Sequence, residues 1–256
     1  MSDSIVIIPT YNEKENISRI IQKVFTLEGD FNILVIDDNS PDGTASIVKE
    51  QAEKYTHRLF LIERSGKLGL GTAYIEGFKW ALLHRYEYIF EMDADFSHNP
   101  DDLIRLYDAC HNQEVDLAIG SRYISGINVI NWPLKRVLMS YFASVFVRKI
   151  TGMRIMDTTA GFKCYRHNVL ETIGIEKIKM KGYGFQIEMK FKTWKYGFKI
   201  KEIPIIFTDR KEGTSKMSGG IFGEAFKGVI KMKILSFFKT YKRESTAQPT
   251  KAQEID

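Results

Sequence analysis

Five short apolar runs pace the first half of the chain: residues 5–8 (IVII), 33–36 (ILVI), 59–62 (LFLI), 88–90 (YIF) and 117–119 (LAI). Runs that are apolar at every position read as strands covered on both faces, as in a mainly parallel sheet. Helical patterns separate them. Asn12 followed by Glu15 has the spacing of a capping box and predicts a helix to about residue 25, with Ile17, Ile20, Ile21 and Val24 on one face. Thr44 is placed to cap a second helix over about 45–54, a third spans about 72–84, and Asn99 with Pro100 opens a fourth to about 111. The alternation predicts a doubly wound α/β sheet as far as about Tyr123. From Ser125 onward aromatic-rich helices and loops take over, with one late strand over about 200–207. The last fourteen residues, 243–256, are polar and aperiodic and are expected to be disordered.

Composition removes whole classes. With 256 residues, 44% hydrophobic and 27% charged, the chain is neither disordered, collagen-like nor a coiled coil. Its two cysteines, Cys110 and Cys164, form no CxxC pair, which argues against a disulfide framework or zinc cluster and suits a reducing compartment. The start MSDSIVIIPTYNE lacks the basic and long apolar regions of an export signal. No stretch approaches the roughly 20 apolar residues of a bilayer span, so no transmembrane segment is expected. The net charge of +5 is spread along the chain, a weak basis for a non-catalytic nucleic-acid-binding protein, and no nucleic acid is expected as partner.

Ligands of open α/β sheets sit beyond the carboxyl ends of the strands, so the residues after each apolar run carry the chemistry. The first run leads to Pro9, Thr10, Tyr11 and Glu13, the second to Asp37, Asp38 and Asp42, the fourth to Asp93, Ala94 and Asp95. Acids at three strand ends point to a metal and to sugar or ribose hydroxyls. Asp93 and Asp95 can turn toward one divalent cation, whose shell phosphates and water complete; Asp101 with Asp102 suits the first turn of a helix instead. Lys67, Arg122, Arg210 and Lys216 are the cations fitted to phosphate oxygens. A GxGxxG turn is missing after the first strand, which disfavours a dinucleotide-binding dehydrogenase.

The ordered set IPTYNE, IDDNSPDGT, GLGTAYIEGF, MDADFSHNP, IGSRY, DTTAGFKCY, KGYGFQIEM and DRKEGTSK resembles the dolichol-phosphate mannose synthases, inverting family-2 glycosyltransferases of GT-A fold, over about 5–238. The resemblance implies a single GT-A domain over 1–242, with a nucleotide-sugar half to about 123 and an acceptor and membrane-facing half from 124. It implies GDP-mannose as donor, dolichyl or another polyprenyl phosphate as acceptor, and Mg²⁺ or Mn²⁺ as cofactor. Pro9, Tyr11, Glu13, Ile36 and Asp38 would hold base and ribose; Asp93 and Asp95 would ligate the metal, with Ala94 beside the diphosphate. Arg210 and Lys216 would close over the diphosphate and Arg122 would meet the lipid phosphate, making Asp95, Arg122 and Arg210 the residues on which transfer depends. Ser97 stands where some relatives carry a further metal-associated Gln, and Asp157 belongs to a variable acceptor motif, DTTAGF. UDP-glucose or another nucleotide sugar is the alternative donor. The QxxRW motif of processive polysaccharide synthases is absent.

A phosphomonoester acceptor with a second pKa of about 6 is already largely dianionic at neutral pH, so the chemistry requires no protein base. Glu188 either orients the acceptor or is a helix residue paired with a neighbouring Lys. Two segments are fitted to a membrane surface. Residues 134–150 are largely apolar with Lys135, Arg136, Arg148 and Lys149 at the ends; 221–242 put Phe222, Phe226, Ile230, Ile234, Phe237 and Tyr241 on one helical face, with Lys227, Lys231, Lys233, Lys239 and Lys242 elsewhere. A core-facing stripe is the alternative. The expected location is peripheral, on the cytoplasmic face of a membrane, and a small membrane-anchoring subunit or a homo-oligomer is compatible with it.

Overall fold

The computed structural model describes residues 2–209 and 221–243. Its first half runs β1 (Ser4–Thr10), α1 (Lys14–Phe25), β2 (Phe31–Asp37), α2 (Thr44–Lys54), β3 (Leu59–Glu63), α3 (Leu70–Leu83), β4 (Tyr88–Glu91), α4 (Asp102–His111) and β5 (Leu117–Ser121). The second half adds β6 (Val129–Ile130), α5 (Leu134–Thr151), β7 (Lys163–Arg166), α6 (His167–Ile173), α7 (Tyr183–Lys195), β8 (Ile200–Pro204), β9 (Phe207–Thr208) and α8 (Ile221–Ser236).

Seven strands form one sheet in the order β3-β2-β1-β4-β7-β5-β8, and β6 pairs with β9 in a separate ribbon. All pairings are parallel except those of β7, which lies antiparallel between β4 and β5. Side chains alternate between faces along each strand. Ile5, Ile7, Leu34 and Ile36 therefore pack with α3, α6 and α7, while Val6, Ile8, Ile33 and Val35 pack with α1, α2 and α4. Both faces are covered, as the unbroken apolar runs require.

The predicted first half is present, with its helix starts revised. Asn12 takes a left-handed backbone (φ 55°), and α1 begins at Lys14 without a side-chain cap of its own. Its free amides are capped from the next loop: Asn12 N–H donates to Ser40 Oγ, Glu13 N–H to Thr44 Oγ1 and Lys14 N–H to Asp42 Oδ2. Thr44 is thus spent on α1, and α2 starts after Gly43, whose φ of 91° suits glycine. The third helix starts at Leu70, two residues earlier than expected, and the fourth at Asp102, with Asn99 accepting from Asp101 N–H in the turn before it.

The central antiparallel strand β7 is absent from the sequence reading. Its four residues, KCYR, are flanked by cations at both ends, and the buried Lys163 is tolerated only because Glu91 lies opposite it at 2.9 Å. The late strand is two strands. Pro204, lacking an N–H, ends β8, and the chain crosses to pair with β6. Cys110 and Cys164 are free and buried. Among the described residues no helix is long and apolar enough to cross a membrane. The tail expected to be disordered lies, beyond Arg243, outside the described residues.

Candidate active site

Beyond the carboxyl ends of β1, β2, β4 and β5 opens a cavity of about 420 Å³. It gathers Pro9, Tyr11, Glu13, Lys67, Asp38, Asp93, Ala94, Asp95 and Arg122, which are far apart in sequence. Register explains the convergence: Thr10 lies opposite Asp37, and β4 stops at Glu91 opposite Ile7, so the residues that follow it, Asp93 to Asp95, come out beside the ends of β1 and β2. Ile36 is the exception among the nucleotide candidates. Its side chain is fully buried in the core and does not line the cavity, although it lies in register with Pro9, which does. Arg210 and Lys216 lie outside the described residues.

On the β2 side Asp38 is fixed at both oxygens. Oδ2 accepts from the amides of Leu68 and Gly69 at 3.2 and 3.3 Å, and the Arg64 guanidinium stands 3.0 Å from Oδ1. Lys67 sits 4.6 Å over the Tyr11 ring at the rim. Asp37, by contrast, is occupied within the fold, accepting from Thr10 Oγ1 at 2.7 Å and from Ser40 N–H at 2.8 Å.

Asp93 and Asp95 follow β4. Tyr74 O–H donates to Asp93 Oδ1 at 3.4 Å, and burial with the Asp93 charge pushes the Tyr74 pKa well up, so it stays a donor. Ser97 gives its amide to Asp95 Oδ1 at 3.0 Å, which is what this serine does in place of the further metal-associated Gln. His98 stacks on Phe162 at 4.9 Å, and burial pulls its pKa down to about 4, leaving a neutral imidazole beside the acids. Among the described residues no set of three His, Cys, Asp or Glu is assembled for a metal. Two carboxylates on a cavity wall suit a divalent cation that draws its remaining ligands from phosphate and water.

Past β5 the wall is cationic. Arg122 forms a fork with Asp157: Nε to Oδ2 and Nη2 to Oδ1, both at 2.7 Å, while Nη2 also reaches Thr159 Oγ1 at 2.8 Å. Burial alone would raise the Asp157 pKa, but the Arg122 charge and hydrogen bonds outweigh it and hold the carboxyl below its ordinary range. Glu202 holds the same turn by accepting from the amides of Met156 and Asp157. Asp157 is therefore the residue that aims Arg122.

Arg136 is a cation that sequence reasoning misplaced. Assigned to the docking end of a helix, it lines the cavity instead, stacked 4.1 Å over Trp132 and paired with Asp209 at 2.9 Å. The aromatic Trp132 four residues before it is the signal that was available. Thr159, Ala160, Gly161, Tyr183 and Gln186 also line the cavity unpredicted. Beneath them Gln186 Nε2 donates to Glu91 Oε2 at 2.7 Å, and Lys163 bonds both Glu91 and the Gln186 side-chain oxygen. Glu188 takes the structural role, accepting from the amides of Lys179 and Met180 and standing 3.6 Å from Lys192.

The chain matches known proteins over most of its length. The chain is 46% identical over 222 residues to a polyprenol monophosphomannose synthase of Mycolicibacterium smegmatis, covering 87% of this chain and 83% of that protein. It is 42% identical over 227 residues to an undecaprenyl-phosphate mannosyltransferase of Micrococcus luteus, covering 89% and 92%. In fold it resembles glucosyl-3-phosphoglycerate synthase of Mycobacterium tuberculosis, crystallised with Mn²⁺, UDP-glucose and phosphoglyceric acid: TM-score 0.67, 14% identity, 90% of this chain and 79% of that one. The family model for glycosyl transferase family 2 matches residues 5–174. With its GT-A-like sheet and the cavity at its strand ends, the chain belongs to glycosyl transferase family 2 and is a glycosyltransferase.

Proposed function

We propose that this enzyme transfers mannose from GDP-mannose to dolichyl or another polyprenyl phosphate, inverting the anomeric centre to give a β-linked lipid-phosphate mannose and GDP. The observation that carries the reading is a cavity with a carboxylate pair on one wall and a fixed guanidinium on another. β4 and β5 are separated by β7, two strand spacings or about 10 Å, which leaves room for a sugar between two anions. The names of the relatives support mannose as the sugar and a polyprenyl phosphate as the acceptor.

In this reading Pro9, Tyr11, Glu13 and Asp38 hold base and ribose, and Asp93 and Asp95 hold Mg²⁺ or Mn²⁺, with Ala94 beside the diphosphate. Bound there, the metal would neutralise charge on the leaving diphosphate. Arg210 and Lys216 are assigned to the same diphosphate. Arg122, and with it Arg136, meets the acceptor phosphate, whose dianionic oxygen attacks without a protein base. What the protein contributes is alignment of that oxygen behind the anomeric carbon and preorganised charge. The donor half extends to about 123 and the acceptor half over 124–242. The test is purified enzyme with Mg²⁺, undecaprenyl phosphate and labelled GDP-mannose, UDP-glucose or other nucleotide sugars. Lipid-linked mannose from GDP-mannose is expected; preference for another donor overturns the donor assignment.

We also place the enzyme peripherally on the cytoplasmic face of a membrane. Phe226, Ile230, Ile234 and Phe237 are exposed, so the apolar stripe of α8 faces outward, and Val229 on its other side is buried. Phe142 of α5 is exposed nearby in sequence to Phe146, whose ring stacks on Phe226 at 3.5 Å. Residues 134–151 and 226–243 carry no acidic side chain. That combination suits an anionic bilayer. Replacing Phe237 and Phe238, 72% and 83% exposed, by Glu is expected to weaken sedimentation with phosphatidylserine vesicles at least about tenfold. Unchanged sedimentation would direct the search to an anchoring subunit or a second copy.

A further inference from the structure

Three carbonyls of the turn leading into β7 point at the Nζ atoms of two buried lysines. Lys190 Nζ donates to Thr158 O at 3.1 Å, to Ala160 O at 2.6 Å and, within α7, to Gln186 O at 3.5 Å. Lys163 Nζ reaches the same Ala160 O at 3.2 Å and Gly161 O at 3.4 Å. Both lysines are fully buried and neither lines the cavity, whereas Thr159, Ala160 and Gly161 do. Three carbonyl oxygens surround Lys190 Nζ and no carboxylate touches it, so burial pulls its pKa well below the ordinary lysine value.

A trans peptide sets C=O and the following N–H in opposite directions, and there is no cis bond in the described chain. With the Thr158 and Ala160 carbonyls drawn to the buried lysines, the amides of Thr159 and Gly161 point away from those lysines, on residues that line the cavity. Neither donates to another group among the described residues. Arg122 adds a third donor: Asp157 occupies its Nε and Nη2, and Nη1 bonds nothing among the described residues. A buried N–H donor on the carbonyl end of a peptide unit polarises the N–H at the other end.

We infer that Lys190 and Lys163 hold the 158–161 turn so that the amides of Thr159 and Gly161, beside Arg122, form an anion site for the acceptor's phosphate. The site is backbone, which is why no motif of charged side chains reveals it. Assigning the phosphate to the acceptor rests on the proposed function; the anion site itself does not.

Two arms test it. In the first, the unaltered chain labelled with ¹⁵N is titrated with citronellyl phosphate, with inorganic phosphate, with GDP and Mg²⁺, and with citronellol. Downfield movement of the Thr159 and Gly161 amides with both phosphates, and not with citronellol, is expected. No movement overturns the site; movement with GDP and Mg²⁺ alone overturns its assignment to the acceptor. In the second, Lys190→Met is expected to weaken citronellyl phosphate about tenfold with GDP affinity within about twofold, and Lys190→Arg to recover part of the loss. Undiminished phosphate affinity in Lys190→Met overturns the role of Lys190. The first arm needs no variant, so it stands if Lys190→Met does not fold. If the enzyme transfers no sugar to a prenyl phosphate while both amides still respond to inorganic phosphate, the proposed function fails and the anion site survives.

Discussion

Asp95→Ala is expected to lower sugar transfer by at least about 10³-fold while the protein stays folded. Asp95 is buried at the cavity wall, and within the fold its Oδ1 accepts the Ser97 amide. Losing that acceptor costs about 1 kcal/mol, small against the stability of a domain of this size. The effect on rate is larger because the paired acids act together. With Asp95 gone, Asp93 alone, 37% exposed at its side chain, is a weak partner for a divalent cation. Asp95→Asn keeps an oxygen for the Ser97 amide but loses the charge, so it separates the two roles: melting like the parent, transfer reduced nearly as far as in Asp95→Ala. Chelation of the unaltered enzyme should match both variants. Full transfer in the presence of a chelator would remove the cation from the reading.

Much of this site was legible because it depends on strand ends. Unbroken apolar runs give buried parallel strands, and the residues after them must then meet at one edge of the sheet, which is how Pro9, Asp38, Asp93 and Arg122 come together. Ile36, opposite Pro9 in the register and two residues before Asp38, has its side chain in the core below the cavity lining. The acceptor side was harder. β7 is four residues long with a buried lysine, and a burial rule that expects lysine at the surface hides it. Only the pairing with Glu91, 72 residues away, makes Lys163 an interior residue, and no local pattern carries a contact of that separation. Gln186 and Gly161 then enter the cavity because β7 and α7 bring them there. Helix starts were misread in the same way, since the amides of α1 are capped by Ser40, Asp42 and Thr44 across the loop.

Asp157 is where stability and transfer can be pulled apart. Arg122 and Asp157 are both buried and joined by two charge-assisted bonds of 2.7 Å. Asp157→Ala leaves a guanidinium unpaired in the interior, a change that typically costs about 3–5 kcal/mol. It also frees Arg122 from the orientation in which Asp157 holds it at the cavity wall, so transfer should fall about 100-fold or more, chiefly through the acceptor KM. The double variant Arg122→Met with Asp157→Leu replaces the pair by apolar groups of similar size and should regain most of the lost stability. It should regain none of the transfer. The pH dependence follows from the depressed Asp157 pKa: the carboxylate stabilises fully above its unfolded value of about 3.9, and that contribution is lost as pH falls through the lower folded value. Denaturant titrations of parent and double variant should therefore differ least above about pH 5 and most in strong acid, where the parent alone loses the Asp157 contribution. A double variant that restores folding and transfer together would show that Arg122 serves the fold alone, and the acceptor phosphate would need another partner.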